Sequence, residues 1–457
     1  MIPDTYSKHL QQLLVRLGEA FPGDESGSMH SSLHISNDEL ESVLEQLNGR
    51  LSQHYPFHQP WYAGQMLKPP HPAAWLAYTL AMTINPNNHA LDGGPESSMM
   101  EKEVINQLKA FAGFPENALG HLTSSGTIAN LEALWIAREI HPDRAVAVSS
   151  QSHYTHHRMC RLLQIPVVEV PGDENGLPDP ALLDHSQPLP GTIVVTLGTT
   201  GLGRVEPLHR ITDWARDHQV RIHVDAAYGG FYHLLRDTGT IDADPWRALP
   251  DADSLVIDPH KHGLQPYGCG SVLFRDPSVG RFYQHDSPYT YFSSEDLHLG
   301  EISLECSRAG ASAVALWMTL QLLPLKPGHG LGEVLQCCRK AALHLYDRLQ
   351  QSERFHPVME PELDIVTYVP VTEKTTFSGV SSRSAAILKA GMEAGLPDRL
   401  YLSTLALTEE EAHRWLPDLE ADQSSVTVLR SVLMKPEHLD FVPEMMRRLE
   451  KLYEMTG

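Results

Sequence analysis

The amino-acid sequence predicts an α/β fold with a largely parallel central sheet, followed by a small C-terminal α+β domain. Between about residue 120 and residue 275, short runs of β-branched residues alternate with stretches of helical periodicity. Strands that alternate with helices form βαβ units, in which helices cover both faces of a mostly parallel sheet. The predicted strands are AVAVSS at 145–150, IPVVEV at 165–170, TIVVTLGT at 192–199, VRIHVDAA at 220–227 and SLVIDP at 254–259.

Helical patterns surround and separate these strands. Ala129–Ile140 and Leu208–His218 are predicted helices between strands, and Ala73–Ile84 and Glu101–Phe114 are predicted helices before them. The N-terminal segment is predicted to be a helical arm, because apolar residues recur at helical spacing. These residues are Leu10, Leu13, Leu14 and Leu17.

The C-terminal part contains a second group of strands. Two long helical runs after residue 310 precede DIVTYVPV at 364–371, YLSTLAL at 401–407 and SVTVLRSVLM at 425–434, and a closing helix runs through Met445–Tyr453. We therefore predict a helical arm at 1–60, a large domain at 61–330 and a small domain at 331–457.

Composition excludes several classes of function. The 35 Lys and Arg against 57 Asp and Glu give a net charge of −22, which disfavours nucleic acid or an anionic membrane surface as a partner. No stretch reaches 18 apolar residues, so no membrane span is expected. The five Cys show no CxxC spacing, and the N-terminus lacks the apolar run of a signal peptide. We expect reduced thiols in a cytoplasmic protein.

The motif DPHKHG, at 258–263, directly follows the predicted strand SLVI. In parallel sheets, ligands bind beyond the carboxyl ends of the strands. A Lys at such an end is suited to forming an imine, because burial favours the neutral, nucleophilic amine. An isolated His-Lys pair is more often an ordinary loop, so Lys261 gains meaning only from the motifs around it.

VDAAYGG, at 224–230, ends another predicted strand. Asp225 could keep a pyridinium nitrogen protonated through a charge-assisted hydrogen bond, and a flat ring could lie against the small residues Ala226 and Ala227. The simpler alternative is an Asp that caps a helix at a βα turn.

Two further segments complete the pattern. In HLTSSGTIAN, Gly126 and Thr127 lie where a loop becomes a helix, and the N–H groups of a helix N-terminus bind phosphate. In SHYTHHR, His153 follows a strand and could stack on a ring. His156 and His157 also have a spacing seen in metal sites, but no carboxylate or Cys completes a ligand set, so no metal is expected.

Together, DPHK, HVDAAYGG, TLGTT and the Ser-Gly-Thr turn resemble the pyridoxal-phosphate-dependent group II amino-acid decarboxylases, which include the aromatic amino-acid, histidine and glutamate decarboxylases. The resemblance covers PWYAGQM at 60–66 through GEISLECSRAGASAVALW at 300–317. It implies a type I pyridoxal-phosphate fold, the cofactor pyridoxal 5'-phosphate and a homodimer with shared active sites. It also implies that PWYAGQMLKPPHP forms the substrate-side wall.

The resemblance also implies roles for individual residues. Lys261 matches the Schiff-base Lys, Asp225 matches the partner of the ring nitrogen, and His153 and Ala227 match the residues on opposite faces of the ring. The other matches are Gly126 and Thr127 in the phosphate cradle, Thr200 near the ring oxygen, His260 before the Lys and Arg308 after the catalytic loop.

The family places a proton-donating Tyr on a loop, and SPYTYF, at 287–292, offers Tyr289 and Tyr291. We favour Tyr291, because an apolar residue follows it. A Tyr hydroxyl stays protonated at neutral pH and can deliver a proton to carbon.

The resemblance predicts decarboxylation of an L-amino acid, with an aromatic substrate favoured by its frequency in the family. Alternatives on the same fold are decarboxylation coupled to oxidative deamination, a carbon–carbon lyase and an aminotransferase. A binding protein without chemistry is disfavoured by the intact set of Lys261, Asp225 and His153. A dinucleotide enzyme is disfavoured because GTTGLG, at 198–203, lacks the GxGxxG spacing.

Overall fold

The central element of the fold is a seven-stranded sheet. The computed structural model describes residues 2–21, 30–183, 188–283 and 303–457. The strand order is β1-β7-β6-β5-β4-β2-β3, with parallel pairing from β6 through β3, and β7 lies antiparallel to both β6 and β1. The strands are β1 Leu119–Thr123, β2 Val146–Ser149, β3 Val167–Val170, β4 Thr192–Thr196, β5 Arg221–Asp225, β6 Ser254–Ile257 and β7 Gly270–Phe274.

The largely parallel sheet is confirmed, and all five strands predicted in this part of the chain are present. Strands β1 and β7 were missed by the sequence analysis. Their sequences, LGHLT and GSVLF, contain one β-branched residue each, yet every residue of both strands is buried. Packing within the sheet, rather than intrinsic propensity, therefore determines their conformation.

Helices cover both faces of this sheet and connect its strands. The helices in the described part of the chain are α1 Asp4–Ala20, α2 Asn37–Leu51, α3 Pro72–Met82, α4 Pro95–Ala112, α5 Gly126–Ile140, α6 Thr155–Leu163, α7 Leu208–His218, α8 Asp244–Arg247, α9 Gly280–Tyr283, α10 Gly310–Leu322, α11 Leu331–Gln350, α12 Phe377–Glu393, α13 Glu409–Trp415 and α14 His438–Met455.

The two faces of the sheet pack into separate apolar cores. On β4, Ile193 and Val195 belong to one core, whereas Val194 belongs to the other. Strand β6 shows the same alternation, since Leu255 and Val256 lie in different cores. Alternate residues of a strand point to opposite faces, so apolar residues at consecutive positions are needed where both faces are covered.

The C-terminal part contains an antiparallel sheet of order β10-β11-β13-β12. Its strands are β10 Phe355–Pro357, β11 Ile365–Pro370, β12 Ser403–Thr408 and β13 Ser425–Val432, and they follow the hairpin of β8 Leu325–Lys326 and β9 His329–Gly330. The small α+β unit is confirmed, although β10 and α12 were not predicted. The domain limits of 1–60, 61–330 and 331–457 stay a prediction, because α11 packs both on Gly230–Leu235 and on α14.

The N-terminal helices contribute nothing to these cores. Neither α1 nor α2 contains a buried residue, although α1 lies against α3. Helix α2 begins with a capping box between Ser36 and Glu39, which satisfies N–H groups at the start of the helix. Its apolar side chains are all exposed: Leu40, Val43, Leu44, Leu47 and Leu51.

A buried carboxylate lies at the carboxyl end of β4. The backbone N–H of Thr196 donates to Glu206 Oε2 over 2.7 Å, and the hydroxyl of Ser149 donates to Glu206 Oε1. Burial raises the pKa of Glu206 to about 7, although these two hydrogen bonds act in the opposite direction. The ends of β2 and β4 are therefore joined through a group that titrates near neutrality.

We expect Glu206 to make the free energy of unfolding depend on pH. Because its pKa in the folded protein lies above the unfolded value, its stabilising contribution is present below about pH 4.5 and is lost as the pH rises through about 7. The full change is on the order of 3 kcal/mol. Glu206→Gln keeps both hydrogen bonds, since the Ser149 hydroxyl can accept from an amide. Denaturant unfolding from pH 4.5 to 8 should show a weaker pH dependence in this variant.

The exposed substitution Glu19→Gln provides the control and should leave the pH dependence of wild type unchanged. Parallel curves for wild type and Glu206→Gln across this pH range would contradict the assignment.

Candidate active site

The residues singled out in the sequence analysis converge on one edge of the central sheet. Each follows the carboxyl end of a strand: Gly126 and Thr127 after β1, His153 after β2, Thr200 after β4, Asp225 and Ala227 at the end of β5, and His260 and Lys261 after β6. These strands point the same way, because β7 is antiparallel to both of its neighbours. The edge of the sheet therefore has the geometry of a ligand site.

Lys261 is held in a tight turn that begins at Asp258. The backbone N–H of Lys261 donates to the carbonyl of Asp258 over 2.9 Å, and the turn brings Lys261 Nζ within 3.2 Å of Asp258 Oδ2. His260 lies on the same carboxylate, with 3.4 Å between Nε2 and Oδ2, while its Nδ1 donates to the carbonyl of Cys269. Asp258 is buried, whereas the Lys261 side chain is 24% exposed, so the amine can be reached from the site.

The residue after Lys261 ties this turn to the C-terminal sheet. The carboxylate of Asp364, just before β11, accepts from His262 Nε2 over 2.9 Å and from the Tyr228 hydroxyl over 2.6 Å. His262 Nδ1 donates to the carbonyl of Tyr228. All three side chains are buried, so the position of Lys261 depends on contacts between the two parts of the chain.

Asp225 is a buried carboxylate that receives several N–H donors. His156 Nε2 donates to Oδ2 over 2.8 Å, the backbone N–H of Ala227 donates to Oδ1 over 3.1 Å, and Asn130 Nδ2 lies 3.4 Å from Oδ2. Burial alone would raise the pKa of Asp225, but the hydrogen bond and charge of His156, and then the charge of Lys261, hold it well below its usual range. Asp225 is therefore an anion at neutral pH.

Asn130 joins the two ends of the site. Its Nδ2 donates to the carbonyl of Gly126 over 2.9 Å and approaches Asp225, while its Oδ1 accepts from His223 Nε2 over 2.8 Å. His223 Nδ1 faces the hydroxyl of Ser254 over 2.9 Å. Burial lowers the pKa of His223 to about 3, so this imidazole is neutral and its two nitrogens act as one donor and one acceptor.

His153 lies beside both charged groups of the site. Burial lowers its pKa, Asp225 raises it and Lys261 lowers it, so His153 is near both residues. Its Nδ1 accepts from the backbone N–H of Thr155 over 3.3 Å, which fixes the ring at the start of α6. Because Nδ1 is the acceptor, the proton of the neutral ring is on Nε2.

The start of α5 has the shape of a phosphate cradle. The hydroxyl of Ser125 caps the helix by accepting from the N–H of Ile128, and Gly126 and Thr127 form the first helical turn. A Cβ at Gly126 would lie 2.4 Å from Asp258 Oδ2, so only glycine lets the turn approach the Lys261 loop this closely. The Ser124 N–H donates to Glu305 Oε2 over 2.7 Å, which places a carboxylate where an anion is already favoured.

Thr200 and Ala227 are placed by the backbone. Arg430, from β13, donates through Nη2 to the carbonyl of Thr200 over 2.7 Å and through Nε to that of Gly201 over 2.8 Å. This buried guanidinium fixes the loop after β4, while the Thr200 side chain stays exposed. The backbone carbonyl of Ala227 accepts from the N–H of Asp258, and Ala227 is buried.

Together these features fit pyridoxal phosphate. The cofactor requires a reachable amine, an anion for its ring nitrogen and N–H groups for its phosphate. Lys261, Asp225 and the turn at Gly126 supply these three groups at one edge of the sheet. Asp258 Oδ1 is also buried without a hydrogen-bond partner among the described residues, which leaves an acceptor beside Lys261.

The sequence analysis singled out three further residues. Tyr289 and Tyr291 lie outside the described residues, so the choice between them stays a prediction. Arg308 binds the buried carboxylate of Glu101 over 2.7 Å and the carbonyls of Leu122 and Asn88. These contacts connect the segment before α10 to α4 and β1.

The structure places His156 and His157 in different surroundings. His156 is buried on Asp225, whereas His157 is exposed on another side of α6. Within residues 2–21, 30–183, 188–283 and 303–457, no group of three or more His, Cys, Asp or Glu side chains is arranged to hold a metal ion. In the same ranges, no helix has the length and apolar character needed to cross a bilayer.

Comparison with known proteins identifies the family. The model of the pyridoxal-dependent decarboxylase conserved domain matches residues 22–369. The chain belongs to this family. It is therefore a pyridoxal-phosphate-dependent carboxy-lyase of amino-acid metabolism, and the cofactor predicted from the sequence is confirmed.

Individual relatives agree with this assignment. The L-tyrosine decarboxylase of Enterococcus faecium is 28% identical, over 73% of this chain and 72% of that protein. A probable L-tyrosine/L-aspartate decarboxylase of Methanocella arvoryzae is also 28% identical, over 72% of this chain and 84% of that protein. The crystal structure of Oryza sativa TDC with PLP and tryptamine superposes with a TM-score of 0.78, 17% identity and coverage of 99% and 98%, which confirms the type I fold.

The sequence analysis missed several residues that support the site. His156 and Asn130 contact Asp225, and Arg430 binds the backbone of Thr200. His223 binds Asn130, and Asp364 binds His262, the residue after Lys261. Only His156 could be noticed in the sequence, because it lies three residues after His153 at the start of a helix. The others are single polar residues in apolar runs, and their partners become visible only in the folded protein.

We expect borohydride reduction of the holoenzyme to attach the cofactor to Lys261, at one label per chain. Burial lowers the pKa of Lys68 to about 8 and that of Lys435 to about 7, and it also lowers the pKa of Lys109. Lysines away from the sheet edge therefore also have depressed pKa values. Peptide mapping by mass spectrometry therefore shows whether labelling depends on the position of Lys261 at the sheet edge or only on a lowered amine pKa.

Lys261→Ala is the control for this experiment and should show no label. A label on Lys68 or Lys435 in the wild-type protein would contradict the assignment of Lys261.

Proposed function

We propose that the protein decarboxylates an aromatic L-amino acid to the corresponding amine and carbon dioxide. The observation that carries the proposal is the convergence of Lys261, Asp225 and His153 at the carboxyl ends of three strands. When bound, pyridoxal phosphate supplies an electron sink for the pair that the departing carboxylate leaves on the α-carbon.

In this proposal, each residue of the site acts on a different part of the cofactor. Lys261 would supply the amine that attaches the cofactor to the chain. Asp225 holds the proton on the ring nitrogen, which its own negative charge favours. His153 and Ala227 would hold the ring from opposite faces, and the N–H groups of Gly126 and Thr127 would hold the phosphate.

Thr200 and His260 complete the proposed cofactor contacts. Thr200 would contact the ring oxygen from the loop that Arg430 fixes, and His260 holds Asp258 beside Lys261. We also propose Tyr291, with Tyr289 as the alternative, as the donor that returns a proton to the α-carbon. Burial in such a site replaces bulk water by fixed N–H groups, which favours loss of a substrate carboxylate.

An aromatic substrate is supported by the side chains next to the Lys261 loop. The ring of Tyr267 lies 5.2 Å from that of His260, and its hydroxyl donates to the carbonyl of Met66. Tyr62 packs edge-on against Phe57 at 5.0 Å and lies 5.8 Å from Tyr401. These rings belong to the predicted substrate-side wall and its neighbours, and aromatic rings pack favourably on one another. The tyrosine decarboxylase relatives point to the same class.

A screen of the twenty L-amino acids tests this proposal. The holoenzyme should release carbon dioxide fastest from an aromatic substrate, with tyrosine expected to lead, and mass spectrometry should identify the amine in equal amount. Lys261→Ala is the matched control and should release none. Release from aspartate or glutamate but not from any aromatic amino acid would overturn the aromatic assignment. An aldehyde with hydrogen peroxide in place of the amine would favour oxidative deamination instead.

We further propose that the protein is a homodimer with shared active sites and works in the cytoplasm, where its five cysteines stay reduced. The support is helix α2, whose apolar stripe is exposed and contains no buried residue within the described part of the chain. A 15-residue helix is only marginally stable alone, so such a stripe calls for a partner. A second copy of the chain is the partner that the family resemblance implies.

Charges on the stripe should dissociate this dimer. Leu44 and Leu47 lie at its centre, and burial of one Leu contributes about 1.5–3 kcal/mol. Leu44→Glu combined with Leu47→Glu should therefore raise the dimer Kd at least about a hundredfold in sedimentation equilibrium. Ser42→Glu, on the opposite face of α2, should leave the dimer intact. A fully active wild-type monomer, or a dimer insensitive to the double change, would refute the proposal.

A further inference from the structure

The carboxylate of Asp225 has nearly all of its acceptor positions occupied by the protein. A carboxylate offers about four lone-pair positions. Ala227 N–H takes one on Oδ1, and His156 Nε2–H and Asn130 Nδ2–H take two on Oδ2. One position remains, which matches the single N–H of a protonated ring nitrogen.

His156 makes the shortest of these three contacts, at 2.8 Å, and it is fully buried. A hydrogen bond to an ionised acceptor is roughly twice as strong as a neutral one. The other ring nitrogen, Nδ1, is buried without a hydrogen-bond partner among the described residues. Within the described residues, the ring of His156 therefore directs its hydrogen bond to the carboxylate of Asp225.

Other ionisable groups near Asp225 do not replace this contact. Lys261 faces Asp225 from the loop after β6, but Asp258 is its ion-pair partner. Glu206 carries a like charge when ionised and therefore opposes a second anion nearby. His153 and His223 also lie close to Asp225, but their ring nitrogens form hydrogen bonds with Thr155, Asn130 and Ser254.

We infer that His156 is a positioning residue, whose Nε2–H fixes the rotation of the Asp225 carboxylate and keeps it ionised toward the ring nitrogen of the cofactor. This inference rests on the proposed placement of Asp225 at that nitrogen. Without His156, the carboxylate keeps Ala227 on one oxygen and only the 3.4 Å contact to Asn130 on the other. Its orientation and its charge are then both less well determined.

Three variants separate this role from a structural one. His156→Leu removes the donor and fills the space with an apolar side chain, whereas His156→Gln places an amide N–H near the position of Nε2. His157→Leu is the matched control, because His157 is the exposed neighbour on the same helix. The measurements are the cofactor Kd of the full chain, the pH at which the absorption spectrum of the holoenzyme changes, and the thermal unfolding temperature.

We expect His156→Leu to raise the cofactor Kd by about ten- to a hundredfold, which is the range for a lost charge-assisted hydrogen bond. The pH of the spectral change should also shift, because a carboxylate that is poorly held stabilises the ring-nitrogen proton less well. His156→Gln should recover most of both effects, and His157→Leu should match wild type.

Asp225→Asn separates failure of this inference from failure of the proposed site. If Asp225→Asn shifts the spectral change but His156→Leu lowers only the unfolding temperature, His156 is structural and the inference is overturned. The inference is also overturned if His156→Gln behaves like His156→Leu. If Asp225→Asn leaves the spectral change and the cofactor Kd unaltered, the placement of Asp225 itself is wrong.

Discussion

A buried negative charge on Asp225 is the constraint on which the rest of the site depends. A carboxylate taken out of water is costly unless N–H donors replace the lost hydration. Here the donors come from α5, α6 and the turn after β5, so these elements must meet at one point. The order of strands in the centre of the sheet places them there. Stabilising one charge thus also fixes the surroundings of Lys261 and His153.

The site shows how an acidic chain can hold an anionic cofactor. The net charge of −22 excludes broad electrostatic attraction of a phosphate. The proposed site depends instead on local dipoles: the N-terminus of α5 would hold the phosphate, and individual N–H groups bind the carboxylates. Asn130 contacts the backbone carbonyl of Gly126, at the start of α5, and the carboxylate of Asp225. Asn130 therefore links the proposed phosphate-binding turn to the carboxylate proposed to hold the ring nitrogen.

The sequence was informative where one residue type carries a function by itself. Lys261 and Asp225 follow strands with strong β-branched patterns, so both their chemistry and their position could be predicted. Strands β1 and β7 lack such a pattern, because burial between neighbours compensates for weak propensity. Asp364 and Arg430 could not be assigned, since each acts on a loop far away in the chain. His156 was noticed for its spacing, but its partner on β5 could be identified only from the fold.

The antiparallel strand β7 has a consequence for the order of assembly. Strands β6 and β7 are close in sequence, so the loop that carries Lys261 closes over a short stretch of chain. Strand β1, at 119–123, can join the sheet only by pairing with β7, at 270–274. Closing a longer loop costs more entropy, and such distant contacts form slowly. During synthesis, the turn at Gly126 therefore gains its neighbours only after Phe274 has left the ribosome, and a shorter nascent chain lacks the strand that pairs with β1.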